Sequence, residues 1–253
     1  MIPVGVLAAC LVVILTTVVL VVLRSRRSLV SSSSSRKGAL KQRAPTVIIA
    51  GPTNSGKTAL FNALTTEQTT NELTVMSQEP SYVLRYDRTS TTLIEFPGHI
   101  KLAYKLLDHL KELGGNLKGL VFVVDATKDP KDITDTAEFL TNILLAIERT
   151  REPVDILIAC NKSESFTARQ PAKIKQALEA EITKVLERRK KSLINVENSM
   201  LDENDENEAL NLNFDISKGF KFEHLEGELD IQAGSVLKGN TDSWYEWIKE
   251  HLV

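Results

Sequence analysis

Thr46–Leu64 reads TVIIAGPTNSGKTALFNAL. An apolar, β-branched run meets Gly51, and five residues later come Gly56, Lys57 and Thr58, followed by a helix-like pattern. Strand, glycine-bounded loop and helix form the setting in which G-x-x-x-x-G-K-[ST] works as a phosphate loop. The glycines let the backbone curl until successive N–H groups point inward. The start of the helix adds unpaired N–H groups and the positive end of its dipole. The candidate phosphate-binding residues are therefore Gly51, Pro52, Thr53, Asn54, Ser55, Gly56, Lys57, Thr58 and Ala59. Lys57 brings a point charge to the β and γ phosphates, and the Thr58 hydroxyl is a ligand for Mg²⁺.

Two downstream segments bear on the base and on the metal. In TTLIEFPGH a strand runs into Glu95-x-x-Gly98. An acid at that strand end can hold a magnesium-bound water, and the Gly98 amide can sense the γ-phosphate. In DILIACNKSE a strand ends in Asn161-Lys162-x-Glu164. Guanine presents its N1–H and exocyclic amine side by side, and one carboxylate accepts both. Adenine would leave that carboxylate facing an unprotonated nitrogen. A buried polar group left unpaired costs about 1–3 kcal/mol, so the pattern predicts GTP/GDP over ATP. Lys162 would lay its stem along the base plane, and Asn161 would bridge back to the phosphate loop. Thr74, in NELTVMSQEP, stands where a threonine could close over Mg²⁺ and the γ-phosphate. Ala233 and Gly234 follow the last strand, where backbone N–H groups could approach the guanine oxygen.

From Thr46 onward, short apolar runs alternate with longer amphipathic ones. Strands are expected at Thr46–Ala50, Ser81–Tyr86, Thr91–Phe96, Leu120–Val124, Asp155–Cys160 and Leu229–Gln232. Helices are expected from Lys57, near Ile100, near Asp135, from Pro171 and near Asp242. LVFVV and ILIAC suit a parallel sheet covered on both faces. DRTS joins the second and third strands as a hairpin turn, which makes one edge antiparallel. The expected architecture is an α/β domain with a six-stranded, mostly parallel sheet and helices on both faces. The helix from Pro171 should end at ERRKK, where positive charge meets the negative end of the dipole. Residues 195–213, acidic and rich in asparagine, predict an exposed, disordered insertion. Trp244 and Trp247, three apart in the terminal helix, predict packing.

Ahead of this domain lies an uncharged run, Ile2–Leu23. About twenty helical residues cover a hydrocarbon core of roughly 30 Å, so residues 1–23 are expected to form a single transmembrane anchor. Arg24, Arg26, Arg27, Arg36, Lys37, Lys41 and Arg43 follow it, with no acid among them. The positive-inside rule places them, and the domain from residue 45, in the cytosol, with the N-terminus lumenal. Residues 24–44, serine-rich and basic, read as a flexible tether. The 253 residues carry a net charge of −2, which gives no electrostatic bias toward nucleic acid. Cys10 and Cys160 make no disulfide framework.

GPTNSGKT, EFPGH, FVVDAT and ACNKSE together resemble the small GTPases, and within them the Arf and Sar branch. With the anchor, the basic tether and TVMSQEP ahead of EFPGH, the chain resembles the β-subunit family of the signal recognition particle receptor. That resemblance implies a Ras-like P-loop GTPase fold held in the endoplasmic reticulum membrane, binding GTP or GDP with Mg²⁺. It implies a GTP-dependent grip on the N-terminal domain of the receptor's α subunit, for co-translational targeting. Through that subunit it implies indirect contact with the ribosome, the signal recognition particle and the translocon. Carried over, Thr58, Thr74 and Glu95 (through water) would serve the metal, Gly98 the γ-phosphate, and Asn161, Lys162 and Glu164 the base. Small GTPases generally have Asp where Glu95 and Glu164 stand, and many have Gln at the position of His99. The resemblance leaves two uses for His99: positioning water for slow GTP hydrolysis, or meeting a partner. The rival reading is a cycling Arf- or Sar-like GTPase of vesicle coat assembly. Those proteins carry an amphipathic helix or a lipid where this chain carries a bilayer-length run.

Overall fold

The computed structural model describes residues 44–65, 78–84, 92–129, 133–149, 152–197 and 219–252. The expected span, most of the tether, Thr74, the DRTS turn and the insertion beyond Glu197 lie outside the described residues. Among the described residues no helix is long and apolar enough to cross a membrane. Arg43–Val253 make one compact unit.

Six strands form its sheet: β1 Thr46–Ala50, β2 Ser81–Leu84, β3 Thr92–Glu95, β4 Leu117–Asp125, β5 Asp155–Asn161 and β6 Leu229–Ala233. Their order is β2-β3-β1-β4-β5-β6. Only β2 runs antiparallel, opposing β3 with Ser81 facing Glu95; β1, β3, β4, β5 and β6 are parallel. The helices are α1 Lys57–Thr65, α2 Ala103–Leu113, α3 Thr134–Ile147, α4 Pro171–Glu197 and α5 Asp242–Leu252.

Alternation along the central strands builds two cores, because successive side chains of a strand point to opposite faces. Ile48, Phe122, Ile156 and Ile158 face α2, α3 and α4, joining Leu106, Leu140, Ile143, Leu178 and Ile182. Val47, Ile49, Val121, Val123 and Leu157 face the other way, onto Leu60 and Phe61 of α1 and Trp244, Trp247 and Ile248 of α5. Both tryptophans are buried, as their spacing predicts. Sheets covered on both faces need such unbroken apolar runs.

β3, β4, β5 and β6 each shift by one residue at an end, so that Ala233 closes β6 where it was expected to follow it, and two boundaries differ by more. β4 begins at Leu117, three residues before Leu120, because exposed Lys118 and the glycine after it hide the strand's first turnings. α4 does not stop at ERRKK: it runs six residues further, to Glu197, and its last turn carries no basic residue. Neither glycine nor proline separates Lys191 from Glu197, so nothing in that stretch breaks the helix. The charged pentapeptide is helix interior, and the first three residues of the expected insertion are helical.

Candidate nucleotide site

Parallel strands bring their carboxyl ends to one edge, the usual place for a ligand in an open α/β sheet. Here the ends of β1, β3, β5 and β6 deliver the phosphate loop, Glu95 to Gly98, Asn161 to Glu164, and Ala233 to Gly234 to that edge.

The phosphate loop folds around the Pro52 carbonyl. It accepts from the Ser55 hydroxyl at 2.9 Å, the Ser55 N–H at 3.4 Å and Lys57 Nζ at 3.4 Å. Thr53 and Asn54 form the outer turn, and Asn54 takes a left-handed φ of 61°. Gly56 has φ 93°, and a Cβ there would lie 2.1 Å from Asn161 Nδ2. The residue must therefore be glycine on grounds of both backbone and space. Ala59 sits in the first turn of α1. Gly98 closes against the same loop: a Cβ would come 2.3 Å from the Gly51 carbonyl and 2.6 Å from Lys57 Nζ.

Two charges face each other below the loop. Burial pushes the Lys57 ammonium below its ordinary pKa, and Glu95 partly offsets this. Burial likewise pushes Glu95 up, against the Thr58 hydroxyl, Lys57 and Ser81, which favour its ionised form. The Thr58 hydroxyl donates to Glu95 Oε1 at 2.9 Å. Ser81 lies close enough to act on the carboxylate, yet Oε2 is buried with no partner in hydrogen-bond geometry. A partnerless carboxylate oxygen beside a threonine hydroxyl fits a site for water-coordinated Mg²⁺. Among the described residues no cluster of three His, Cys, Asp or Glu could hold a metal alone.

His99 caps the 3₁₀ turn Ile100–Leu102 ahead of α2, with Nδ1 accepting from the Lys101 N–H at 3.2 Å. Sequence reasoning assigned this ring no such capping role.

At the other end of the site, Asn161 joins three segments. Its Nδ2 donates to the Ser55 carbonyl at 2.9 Å, and its Oδ1 accepts from the Val236 N–H at 3.1 Å. Ser163 N–H donates to the Gly234 carbonyl at 3.1 Å, and Gly234 N–H to the Cys160 carbonyl at 3.0 Å. Gly234 is buried and Ala233 exposed; Glu164 is exposed on the loop beyond Asn161. Lys162 takes a left-handed φ of 66° and aims Nζ at Asp125 Oδ2, 2.5 Å away. Asp125, Thr127 and Val236 were missed as site residues. The available signal was FVVDAT, an acid ending an apolar strand in line with Asn161.

A family model described as "Signal recognition particle receptor beta subunit" matches residues 42–229. The chain belongs to that family. Relatives extend the match: the signal recognition particle receptor subunit beta of Saccharomyces cerevisiae is 51% identical over 219 residues, 85% of this chain and 88% of that one. Among solved structures, the Chaetomium thermophilum "SRb-GTP/SRX complex" gives a TM-score of 0.62 at 25% identity, covering 82% of this chain and 98% of that one. The "SRb-GDP-Mg" structure from the same organism gives 0.61 at 26% identity, covering 82% and 97%. The six-stranded sheet and its helices are thus the Ras-like GTPase fold of this receptor-subunit family.

Proposed function

We propose that this chain is the membrane-anchored, GTP-binding subunit of a signal recognition particle receptor. In this reading it grips the N-terminal domain of the receptor's α subunit when GTP is bound, at the endoplasmic reticulum. The observation that carries the reading is Asn161. Its amide ties the loop proposed to read the base to the loop proposed to hold the phosphates, across 106 residues of sequence. A protein with only one of the two loops would have no use for that bond. The family supports the receptor assignment. The Chaetomium structures, one named for GTP and SRX and one for GDP and Mg, support the ligands and the partner.

Each residue then has a task. The backbone N–H groups of the phosphate loop, those of Gly51 and of Thr53 to Ala59, would hold the β-phosphate, and Lys57 would exchange the Pro52 carbonyl for phosphate oxygens. Bound Mg²⁺ would neutralise phosphate charge, held by Thr58, by Thr74 and, through water, by Glu95. Gly98 lies against the phosphate loop, and in this reading its N–H would respond to a γ-phosphate. Glu164 would read the guanine edge, Lys162 would back the base plane, and Ala233 would offer its N–H to the guanine oxygen, while Gly234, whose own N–H is taken by the Cys160 carbonyl, would shape the loop. Ordering of Thr74 and Gly98 by the γ-phosphate shapes the partner surface.

The geometry of His99 bears on hydrolysis. With Nδ1 turned to the Lys101 N–H, Nε2 is the ring nitrogen left to meet a water or a partner. We therefore assign His99 an orienting or partner-facing role and infer slow hydrolysis. Residues 1–23 are the proposed single-pass anchor with a lumenal N-terminus, 24–44 the tether, and 45–253 the cytosolic GTPase domain with residues 195–213 as an insertion. Direct sequence-specific nucleic acid binding has no place in this scheme.

The test is a pair of measurements. Purified protein is titrated with GTP, GDP and ATP at millimolar magnesium, then presented with the α-subunit domain in each nucleotide state. Guanine-selective binding and GTP-dependent capture are expected. Equal affinity for ATP would end the base assignment, and capture indifferent to the nucleotide would end the switch.

A further inference from the structure

The Lys162 side chain is 35% exposed, yet its amine is tied down. It returns to the end of the neighbouring strand, where Asp125 Oδ2 accepts from it. Asp125 and Asn161 are register partners on β4 and β5, and parallel strands lie about 4.8 Å apart. The methylenes of Lys162 therefore bridge the two strand ends, forming a short apolar floor.

Asp125 is built to hold that floor still. Its side chain is only 9% exposed. Oδ1 accepts from the Thr127 N–H at 2.9 Å and the Thr127 hydroxyl at 2.6 Å, which leaves Oδ2 for Lys162. Burial alone would raise its pKa, but the hydrogen bonds from Lys162 and Thr127 outweigh burial and hold the carboxyl below its ordinary value. The backbone is locked as well. Ala126 N–H donates to the Asn161 carbonyl at 3.0 Å, and Ser165 N–H to the Lys162 carbonyl at 3.0 Å. A non-glycine residue at positive φ is strained, and these anchors keep Lys162 there.

We propose that Asp125 is a positioning residue for guanine nucleotide binding: held by Thr127, it fixes the Lys162 stem as the surface on which the base stacks. The inference rests on the guanine reading given above. Asp125 touches no ligand itself and acts through the Lys162 ammonium.

A double-mutant cycle tests it. The full-length chain in detergent, stripped of nucleotide, is titrated with a fluorescent GDP analogue at millimolar magnesium. Asp125→Asn keeps the shape and an acceptor for Thr127 but loses the charge. In the wild-type background it should weaken binding about tenfold, the scale of one charge-assisted hydrogen bond. In the Lys162→Met background, where the stem remains and the ammonium is gone, the same change should cost no more than about twofold. Thr127→Val, which loosens the carboxylate without removing it, should weaken binding by a smaller factor, again only when Lys162 is present; it also serves if Asp125→Asn does not fold. Equal losses in both backgrounds would overturn the inference, since Asp125 would then act on the fold rather than through Lys162. Unchanged affinity in Asp125→Asn would overturn it too. A wild-type chain that binds no guanine nucleotide would overturn both this inference and the functional reading beneath it.

Discussion

Lys57 is held in reserve by its own loop: burial disfavours its charge, and its bond to the Pro52 carbonyl is long, at 3.4 Å. A phosphate would supply a hydrogen-bonded anion, where Glu95 only partly offsets the burial. Lys57→Ala should weaken GTP binding by roughly 10- to 100-fold, the range for a hydrogen bond to a charged group; calorimetric titration at millimolar magnesium reads this directly. Glu164→Ala should leave GDP binding weaker by a similar factor, about tenfold or more, while ATP binding stays as it is. A competition assay between the two nucleotides measures the change in preference. Glu95 gives a prediction of the opposite kind. Its folded pKa is raised by burial, so the folded protein holds the proton more tightly than the unfolded chain. The stability this supplies is present at low pH and is lost as pH rises through the raised value. Glu95→Gln should therefore melt higher than wild type in the nucleotide-free state at neutral pH, with the gap closing toward acid pH, while its magnesium-dependent affinity for GTP falls. Melting curves from pH 5 to 8 follow the gap, and a gap constant with pH would mean that burial does not govern this carboxylate. The phosphate loop was legible residue by residue, because G-x-x-x-x-G-K-T is local. Asp125 was not, because its meaning comes from a lysine one strand away, and a strand-end acid looks alike whether it caps a turn or anchors a neighbour.

Elements were legible wherever their signal was a continuous run. The five residues of β1 and the apolar hearts of β4 and β5 carry their burial in their composition. α5 announced itself by two tryptophans at one helical spacing. The failures have a common cause: charge was read as a boundary. Lys118 made β4 appear to start late, and ERRKK made α4 appear to end early, although a long helix tolerates a charged stretch on an exposed face. α5 provides the test at this scale. Trp247 is 4% exposed, donates from Nε1 to Asp230 Oδ2 at 2.9 Å, and stacks on His251 with ring centroids 3.9 Å apart. It is the joint between the terminal helix and the sheet face that carries α1. Trp247→Ala should lower the unfolding free energy by about 3–5 kcal/mol, as large-to-small core substitutions of this kind do. Trp247→Phe, which keeps the ring but loses the N–H donor, should cost less. Urea unfolding followed by circular dichroism measures both; equal and small losses would mean that α5 is only loosely packed.

At the scale of the molecule, the nucleotide site gathers at one end of one sheet. The chain enters β1 at its amino end, where the Thr92 N–H donates to the Pro45 carbonyl at 2.9 Å. All four loops of the nucleotide site lie at the opposite, carboxyl ends of the parallel strands. Nucleotide binding and membrane attachment should then be separable, because among the described residues the side-chain hydrogen bonds of Ser55, Lys57, Thr58 and Asn161 run to Pro52, Glu95, Ser55 and Val236, all beyond residue 50. A chain shortened to residues 44–253 should bind GDP with an affinity within about twofold of the full chain, since sites without shared partners behave independently. The same truncation should abolish flotation with liposomes, which the proposed anchor would confer on the full chain. Capture of the α-subunit domain should survive in solution but need a higher concentration than on a vesicle, where tethering raises the effective concentration of one binder near the other. Flotation assays and titrations on the two forms, run side by side, decide the matter. If the shortened chain loses GDP as well as the vesicle, the apolar run and the GTPase domain are one unit, and the two-part architecture is wrong.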